Sequence, residues 1–167
     1  MSVAEHRAQA PARVTCFVLT VSDTRTLATE TSGRVIAEML EAGGHAVVGR
    51  AAVRDEPAEV TRVLREQISR GEARILITTG GTGISKRDST YEAVTAMLDK
   101  RLEGFGELFR MLSFNEIGSA AMLSRSTAGI AGGCAIFMLP GSEAAVVLAM
   151  ERLILPELGH VARELTK

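Results

Sequence analysis

Aromatic side chains are scarce in this sequence, which has no tryptophan, one tyrosine and five phenylalanines among 167 residues. Proteins that bind single-stranded nucleic acid stack bases on aromatic side chains, and most nucleic-acid-binding domains carry a basic surface. Here 19 basic residues oppose 20 acidic ones, and the formal net charge is −1. The composition therefore argues against a nucleic-acid partner.

Long hydrophobic segments are also missing. No stretch approaches the roughly 18 apolar residues of a membrane-spanning helix, and residues 1–12 lack the apolar core of a secretory signal peptide. We therefore expect a cytoplasmic protein with no membrane partner.

Cysteine and histidine are few. Cys16 and Cys134 each lie inside an apolar run, which is typical of buried thiols rather than of a disulfide or a metal pair, and which fits a reducing compartment. His6, His45 and His160 are far apart, and none belongs to an H-x-x-x-H pair. The spacing predicts no zinc site.

The first half of the chain alternates strand and helix patterns. Apolar runs predict strands over residues 14–21, 45–53 and 74–79. Apolar residues at helical spacing predict a helix after each of the first two strands, the second of them opened by Pro57. Such repeats are typical of a doubly wound α/β fold with a largely parallel sheet and helices on both faces.

The second half departs from this rhythm. Residues 104–118 are predicted to be helical, and residues 126–139 to hold one or two strands, with a possible hairpin turn at the two glycines 132–133. Residues 142–165 are predicted to form a helix that is interrupted near Pro156.

The domain organisation follows from length and composition. A chain of 167 residues is expected to form one domain, and no repeat or linker divides it. We predict a single domain at residues 13–167, preceded by a flexible N-terminal arm at residues 1–12, which are polar and rich in alanine.

Glycines and hydroxyl groups concentrate in residues 78–90, TTGGTGISKRDST, between the third strand and a helix predicted over residues 91–98. Glycine lets backbone N–H groups approach an anion, and a following helix N-terminus adds partial positive charge. The spelling fits neither a Walker A loop nor a dinucleotide-binding fingerprint. We predict an anion-binding loop. The alternative is a tight turn without a ligand, and in either case Ser89 and Glu92 are predicted to form a capping box.

Polar residues follow several of the predicted strands. Because ligands of open α/β sheets bind beyond the carboxyl ends of the strands, Asp23, Asp55 and Asp88 are expected at one edge. Carboxylates beside a phosphate-binding loop suit Mg²⁺. The alternative for each single aspartate is a helix cap or an Asx-turn. Residues 140–142 form either a ligand-contacting loop or only a turn, and Arg125 alone reads as an ordinary surface charge.

These motifs together resemble the MoaB/Mog family of molybdenum-cofactor biosynthesis proteins. The matching stretches are TVSD at 20–23, TSG at 31–33, TGGTG at 79–83, RDSTYEA at 87–93, GFGE at 104–107, SR at 124–125 and LPGS at 139–142. They span nearly the whole chain after residue 12. The run GFGELFRMLSFNEIG, residues 104–118, is closer to the MoaB branch than to Mog.

The resemblance implies a molybdopterin-binding fold that assembles as a homo-oligomer, a trimer or a hexamer. It also implies a nucleotidyltransferase reaction with Mg²⁺, in which ATP is the co-substrate and molybdopterin the substrate, and in which adenylyl-molybdopterin and pyrophosphate form. By match, Asp55 and Asp88 would be catalytic acids and metal ligands. The residues that would bind substrate are Ser22, Asp23, Thr79, Gly80, Gly81, Thr82, Gly83, Ser85, Lys86, Arg87, Thr90, Ser124, Gly141 and Ser142.

Two positions depart from the family pattern. Tyr91 stands where many relatives have proline, and Glu30 stands where an aspartate commonly precedes the TSG motif. Two other functions remain open, a non-catalytic carrier of molybdopterin or its precursor and an oligomeric scaffold. Retention of both Asp55 and Asp88 favours the enzyme.

Overall fold

The computed structural model describes residues 1–167, and six strands in it form one sheet. The strands are β1 (Thr15–Val21), β2 (Ala46–Val53), β3 (Ile75–Thr79), β4 (Lys100–Arg101), β5 (Thr127–Ala131) and β6 (Cys134–Leu139). Their order across the sheet is β2-β1-β3-β6-β5-β4. The first four in this order run parallel, and β5 and β4 add an antiparallel edge. The predicted largely parallel sheet is confirmed, whereas the two-residue β4 was not predicted.

Helices surround the sheet. They are α1 (Val3–Ala8), α2 (Ser32–Ala42), α3 (Pro57–Arg70), α4 (Thr90–Thr95), α5 (Glu103–Ile117), α6 (Glu143–Ala149) and α7 (Leu155–Glu164). A 3₁₀ segment, Gly118–Leu123, follows α5. A π-helical turn, Met150–Ile154, joins α6 to α7. The predicted interruption near Pro156 is this turn, because proline has no N–H to continue an α-helical ladder. No helix is both long enough and apolar enough to span a bilayer.

The core consists of two layers, one on each face of the sheet. Alternate residues of a strand point to opposite faces, so Val18 and Ile77 pack against α2, α5, α6 and α7, whereas Leu19 and Leu76 pack against α3 and α4. These side chains are almost completely buried, and each contributes roughly 1.5–3 kcal/mol to folding by leaving water. Helices on both faces confirm the doubly wound architecture.

The predicted hairpin joins β5 to β6. Gly132 and Gly133 have φ angles of 55° and 80° and form a two-residue turn between the paired residues Ala131 and Cys134. Two successive positive φ angles are the requirement of the hairpin turn whose twist matches that of the strands. The buried free thiols of Cys16 and Cys134 also agree with the prediction.

The prediction of a loose arm at residues 1–12 requires correction over Val3–Ala8, which form α1. The side chains of Ser2 and Glu5 make a capping box at the start of this helix. No residue of α1 is buried, and the helix contacts α7 through polar side chains, including an ion pair between Arg7 and Glu157. Alanine content and local capping explain the helix, and the long-range ion pairs explain its position.

Candidate active site

The carboxyl ends of β1, β3 and β6 meet at one edge of the sheet, and their loops are tied together there. The amide of Gly80 donates a hydrogen bond to Leu139 O (3.0 Å), and Thr79 Oγ1 donates to Pro140 O (2.8 Å). Ser32 Oγ, at the start of α2, donates to Gly141 O (2.8 Å). The glycine loop and residues 140–142 therefore form one continuous rim.

Glycine is required at the first two positions of the glycine loop, residues 80–83. Gly80 and Gly81 have φ angles of 100° and 71°, a region that L-residues with side chains rarely adopt. A Cβ on Gly80 would lie 2.1 Å from Val21 O, and one on Gly81 would lie 2.7 Å from the Cβ of Thr90. The loop thus packs directly on β1 and on the start of α4.

Arg125 holds the glycine loop in place through hydrogen bonds to its last residue, Gly83. Its Nε and Nη2 donate to Gly83 O at 3.0 and 2.6 Å, and Nη2 also donates to Asp88 O at 2.9 Å. The guanidinium lies 4.6 Å from the ring centre of Tyr91 and forms an ion pair with Glu92, whose pKa this contact lowers. Sequence reasoning gave Arg125 no role in the site; the only available signal was its place in the SR match.

The predicted capping box at the start of α4 is wrong. Ser89 is the N-cap residue, but its side chain makes no capping hydrogen bond. Glu92 turns instead to Arg125, because a charged hydrogen bond to a guanidinium is stronger than one to a neutral amide. The short helix is held by tertiary contacts.

Asp55 lies buried beneath the glycine loop, with 8% of its surface exposed. Thr90 Oγ1 donates to Asp55 Oδ1 at 2.5 Å. Burial raises the pKa of Asp55, and the neighbouring negative charges of Asp88 and Asp23 raise it further. The carboxylate does not cap α3, so its alternative role as a helix cap does not hold.

Asp88 closes the other end of the loop. Its Oδ2 accepts hydrogen bonds from the amide and the hydroxyl of Ser85, at 2.9 and 2.6 Å. A Cβ on Gly83 would lie 2.6 Å from the same oxygen. Oδ1 of Asp88 and Oδ2 of Asp55 accept no hydrogen bond from the protein, so each acid retains one oxygen for a cation. Carboxylate oxygens without a protein donor fit the donor set of Mg²⁺.

Arg87 bridges two acidic residues at the rim. Its guanidinium donates to both carboxylate oxygens of Asp23 (2.9 and 3.3 Å) and to Glu56 Oε1 (2.7 Å). Arg87 lowers the pKa of Asp23, and the two acids raise the pKa of Arg87. Asp23 also accepts from the amide of Asp55 at 3.1 Å, so it joins two loops instead of forming an isolated Asx-turn. Lys86 is exposed at the tip of the loop.

Two cavities adjoin the rim, and Gly141 and Ser142 line both of them. The first, of about 350 Å³, is lined mainly by polar residues, which include Ser22, Arg25 and Ser32. The second, of about 440 Å³, is lined by Gly80–Gly83, Asp88 and Ser124 on one side and by apolar residues of α5 and the 3₁₀ segment on the other. Asp55 lines neither cavity, since it lies below the loop.

The hydroxyl groups at the rim also serve the local backbone. Ser142 is the N-cap of α6 and accepts from the amide of Ala145 at 3.3 Å, so the capped-turn interpretation of residues 140–142 holds alongside its position at both cavities. Ser22 Oγ accepts from the amides of Thr24 and Arg25 (3.3 and 3.1 Å).

Glu30, which departs from the family pattern, lies buried at the first cavity. Its carboxylate accepts from the amide of Gly33 at 2.7 Å and forms an ion pair with Arg50. Glutamate, which is one methylene longer than the aspartate of the family pattern, thus reaches the first turn of α2, where a negative charge is stabilised by the helix dipole.

A glycine loop, two neighbouring acids and cavities lined by polar residues at the edge of a doubly wound sheet are typical of proteins that bind phosphorylated small molecules. Residues 17–160 match the family model described as a probable molybdopterin binding domain. The chain belongs to this family.

Individual relatives cover nearly the full length of the chain. It is 53% identical over 168 residues to molybdenum cofactor biosynthesis protein B of Halalkalibacterium halodurans, with 100% of this chain and 99% of that protein aligned. A crystal structure of a molybdenum cofactor biosynthesis protein B superposes with a TM-score of 0.91 at 48% identity, over 95% of this chain and 99% of the other. The tungsten cofactor synthesizing protein MoaB from Pyrococcus furiosus superposes with a TM-score of 0.86 at 38% identity, over 95% and 100%. These names agree with the MoaB branch predicted from the sequence.

Proposed function

We propose that this protein, which belongs to a family of molybdenum-cofactor biosynthesis, is a molybdopterin adenylyltransferase that uses Mg²⁺ and ATP. The observation that carries the proposal is the pair Asp55 and Asp88. Each acid keeps one carboxylate oxygen without a protein partner. Asp88 lines the second cavity together with the glycine loop, and its negative charge contributes to the raised pKa of Asp55.

In the proposed reaction an oxygen of the terminal phosphate of molybdopterin forms a bond to the α-phosphorus of ATP. The bond from that phosphorus to the pyrophosphate oxygen breaks, and pyrophosphate leaves with its electron pair. Mg²⁺ bound by Asp55 and Asp88 would neutralise charge on the phosphates. Such transfers depend mainly on positioning and on charge neutralisation.

The chain's own residues supply the positioning. Residues 80–83 line the second cavity. The amides of Gly81, Thr82 and Gly83, unlike that of Gly80, donate to no backbone carbonyl and would bind phosphate oxygens, as glycine-rich loops do. The apolar wall of that cavity, contributed by Phe109, Ile117 and Leu123, suits one face of a flat heterocycle. The polar first cavity, with Arg25 and several hydroxyls, suits a second anionic group. Lys86 and Arg87 are proposed phosphate neighbours at the rim.

The test is release of pyrophosphate from purified protein mixed with molybdopterin and Mg²⁺-ATP. Asp88→Asn should lower the rate roughly 100-fold or more, since a metal-held charge contributes several kcal/mol and each 1.4 kcal/mol is a factor of ten. The matched control is Asp99→Asn. Asp99 is exposed, accepts a hydrogen bond only from the amide of Gly132 in the turn between β5 and β6, and lines neither cavity of the candidate active site. The control should turn over at the wild-type rate.

The same assay separates the alternatives. Saturable molybdopterin binding without turnover, equal in wild type and Asp88→Asn, would make the protein a carrier. Absence of both turnover and molybdopterin binding would make it a scaffold. Either result would contradict the proposed adenylyltransferase activity.

We also propose that the protein assembles as a trimer or hexamer through α5 and the 3₁₀ segment. Six large apolar side chains are about half exposed or more on these two elements: Leu108, Met111, Phe114, Ile117, Met122 and Leu123. Two of them also line the second cavity, so a second copy of the chain would complete its wall. Contiguous exposed apolar residues of this kind mark protein contacts more often than they mark free surface.

Mass measurement in solution tests the assembly. Wild type should sediment as an oligomer, and Phe114→Glu should shift it toward the monomer, whereas Leu27→Glu, at another exposed apolar position, should not. A monomeric wild type at micromolar concentration would contradict the proposal.

The free thiols agree with a reducing compartment, and the cytoplasm is the proposed location.

A further inference from the structure

Three metal-ligating side chains converge where α1 meets α7. His6, His160 and Glu164 each offer a ligand atom, and these atoms all lie within 4.8 Å of one another. His6 Nδ1 is 2.9 Å and His160 Nε2 is 3.9 Å from Glu164 Oε1. The wide spacing of His6 and His160 in the sequence therefore does not exclude a shared zinc site, because the fold brings them together although 154 positions separate them. None of the three lines either cavity of the candidate active site.

A neighbouring carboxylate orients one of the two imidazoles. His160 Nδ1 lies 2.8 Å from Glu157 Oε2, and Glu157 is itself paired with Arg7. A carboxylate that accepts the Nδ1 proton leaves Nε2 unprotonated and directed at the other ligands, which is the usual support of a metal-bound histidine. The edge-on packing of the two rings, with centroids 5.4 Å apart, keeps both close to Glu164.

The cluster is half-buried and open on one side. The side chains of His6 and His160 are each 23% exposed. His160 and Glu164 line a surface cavity of about 530 Å³, which also includes Asp99. An ion held by the three side chains would therefore keep access to water.

We propose that His6, His160 and Glu164 bind Zn²⁺, with water in the fourth position. Two imidazole nitrogens and one carboxylate are an established donor set for this ion, which favours four ligands in a tetrahedron. The harder Mg²⁺, which prefers oxygen ligands, is disfavoured here. Zinc at this position would join the N-terminal helix to the C-terminal helix, which ion pairs such as Arg7–Glu157 already connect.

Two cations compete for the same carboxylate. Lys167 Nζ and Arg163 Nη1 lie 2.6 and 3.2 Å from Glu164 Oε1. Zinc bound to Oε1 would displace Lys167, whose side chain is 46% exposed. Oε2 of Glu164 accepts no hydrogen bond from the protein.

The experiment is calorimetric titration of metal-free protein with Zn²⁺ at neutral pH. Wild type should bind one ion saturably, and His6→Asn and His160→Asn should each weaken binding at least tenfold. Lys167→Ala should tighten it, roughly two- to fivefold, the effect of removing one exposed ion pair. His6→Asn does not threaten the fold, because no residue of α1 is buried.

Asp88→Asn serves as the marker for zinc bound at the active-site acids, and it should leave the histidine-dependent binding unchanged. Absence of saturable binding in wild type would overturn the proposal, as would wild-type affinity in both histidine variants. Neither result bears on adenylyltransfer, since the readout is the heat of zinc binding alone.

Discussion

The guanidinium of Arg125 donates to the carbonyl oxygen of Gly83 from two nitrogens, at 3.0 and 2.6 Å. Forty-two positions separate the two residues. The contact joins the segment before β5 to the loop after β3, and a third bond extends it to the carbonyl of Asp88. Arg125 thus connects Gly83, the last residue of the glycine loop, to Asp88.

Arg125→Lys should loosen this loop while leaving the fold intact. A lysine ammonium is a point charge and cannot reproduce the planar fork that reaches two carbonyls and stacks on Tyr91. We expect amide hydrogen exchange over residues 80–88 to accelerate about tenfold or more, with unchanged exchange in β1 and β3. Arg62→Lys, at an exposed position on α3, is the control. Equal protection in the two variants would show that Arg125 does not hold the loop.

Asp55→Asn should raise the free energy of unfolding at pH 7. Burial raises the pKa of Asp55 in the folded state, so ionising this carboxyl destabilises the folded chain relative to the unfolded one. The free energy that the protonated Asp55 carboxyl contributes to folding is fully present below the ordinary aspartate pKa of about 3.9. This contribution is lost as pH rises through the raised pKa of the folded state. Asparagine keeps an oxygen to accept from Thr90 but removes the charge.

Urea unfolding at pH 7 and at pH 3.5 measures this effect. The stability gain of Asp55→Asn should be present at pH 7 and shrink toward zero at pH 3.5. A stability loss at pH 7 would contradict the assignment of Asp55 as a destabilising buried charge. The opposite effect on activity is expected if Asp55 holds Mg²⁺.

Gly80→Ala should destabilise the protein by about 2–4 kcal/mol. Part of this is the positive φ, which costs a residue with a side chain about 1 kcal/mol. The rest is the contact of the new Cβ with Val21 O, at 2.1 Å before relaxation. Gly44→Ala is a matched control, since Gly44 has a φ of 85° but no atom within 4 Å of its Cβ position. Similar losses in denaturant unfolding of the two variants would show that the approach of the loop to β1 is not tight.

Neither thiol should react with Ellman's reagent in the native protein. Cys16 is fully buried in β1, and burial raises its pKa to about 12. Cys134 is 4% exposed, and burial raises its pKa as well. The thiolate is the reactive species, so neither thiol should react with the reagent at pH 8 in buffer. In guanidinium both should react, giving two equivalents of titrated thiol per chain. Rapid reaction of either one in buffer alone would show that its strand opens.

Much of the fold could be predicted from the sequence because it rests on local patterns. Apolar runs marked β1, β2 and β3, helical spacing marked α2, α3 and α5, and paired glycines marked the hairpin of β5 and β6. The order of residue types at the ends of strands also predicted that Asp23, Asp55 and Asp88 would meet at one edge. Their roles in binding and catalysis stay predictions.

The tertiary structure decided which partner each polar side chain takes. Glu92 matches a capping box in sequence, yet it pairs with Arg125, and His6 meets His160 across almost the whole chain. The two-residue β4 forms only because β5 offers it an edge. The spacing of apolar residues within one helix or strand is set by backbone geometry and burial, so it can be recognised in the sequence. A long-range ion pair or hydrogen bond depends on how distant segments pack, and several nearby partners of similar strength compete for each group, so only the folded chain selects among them.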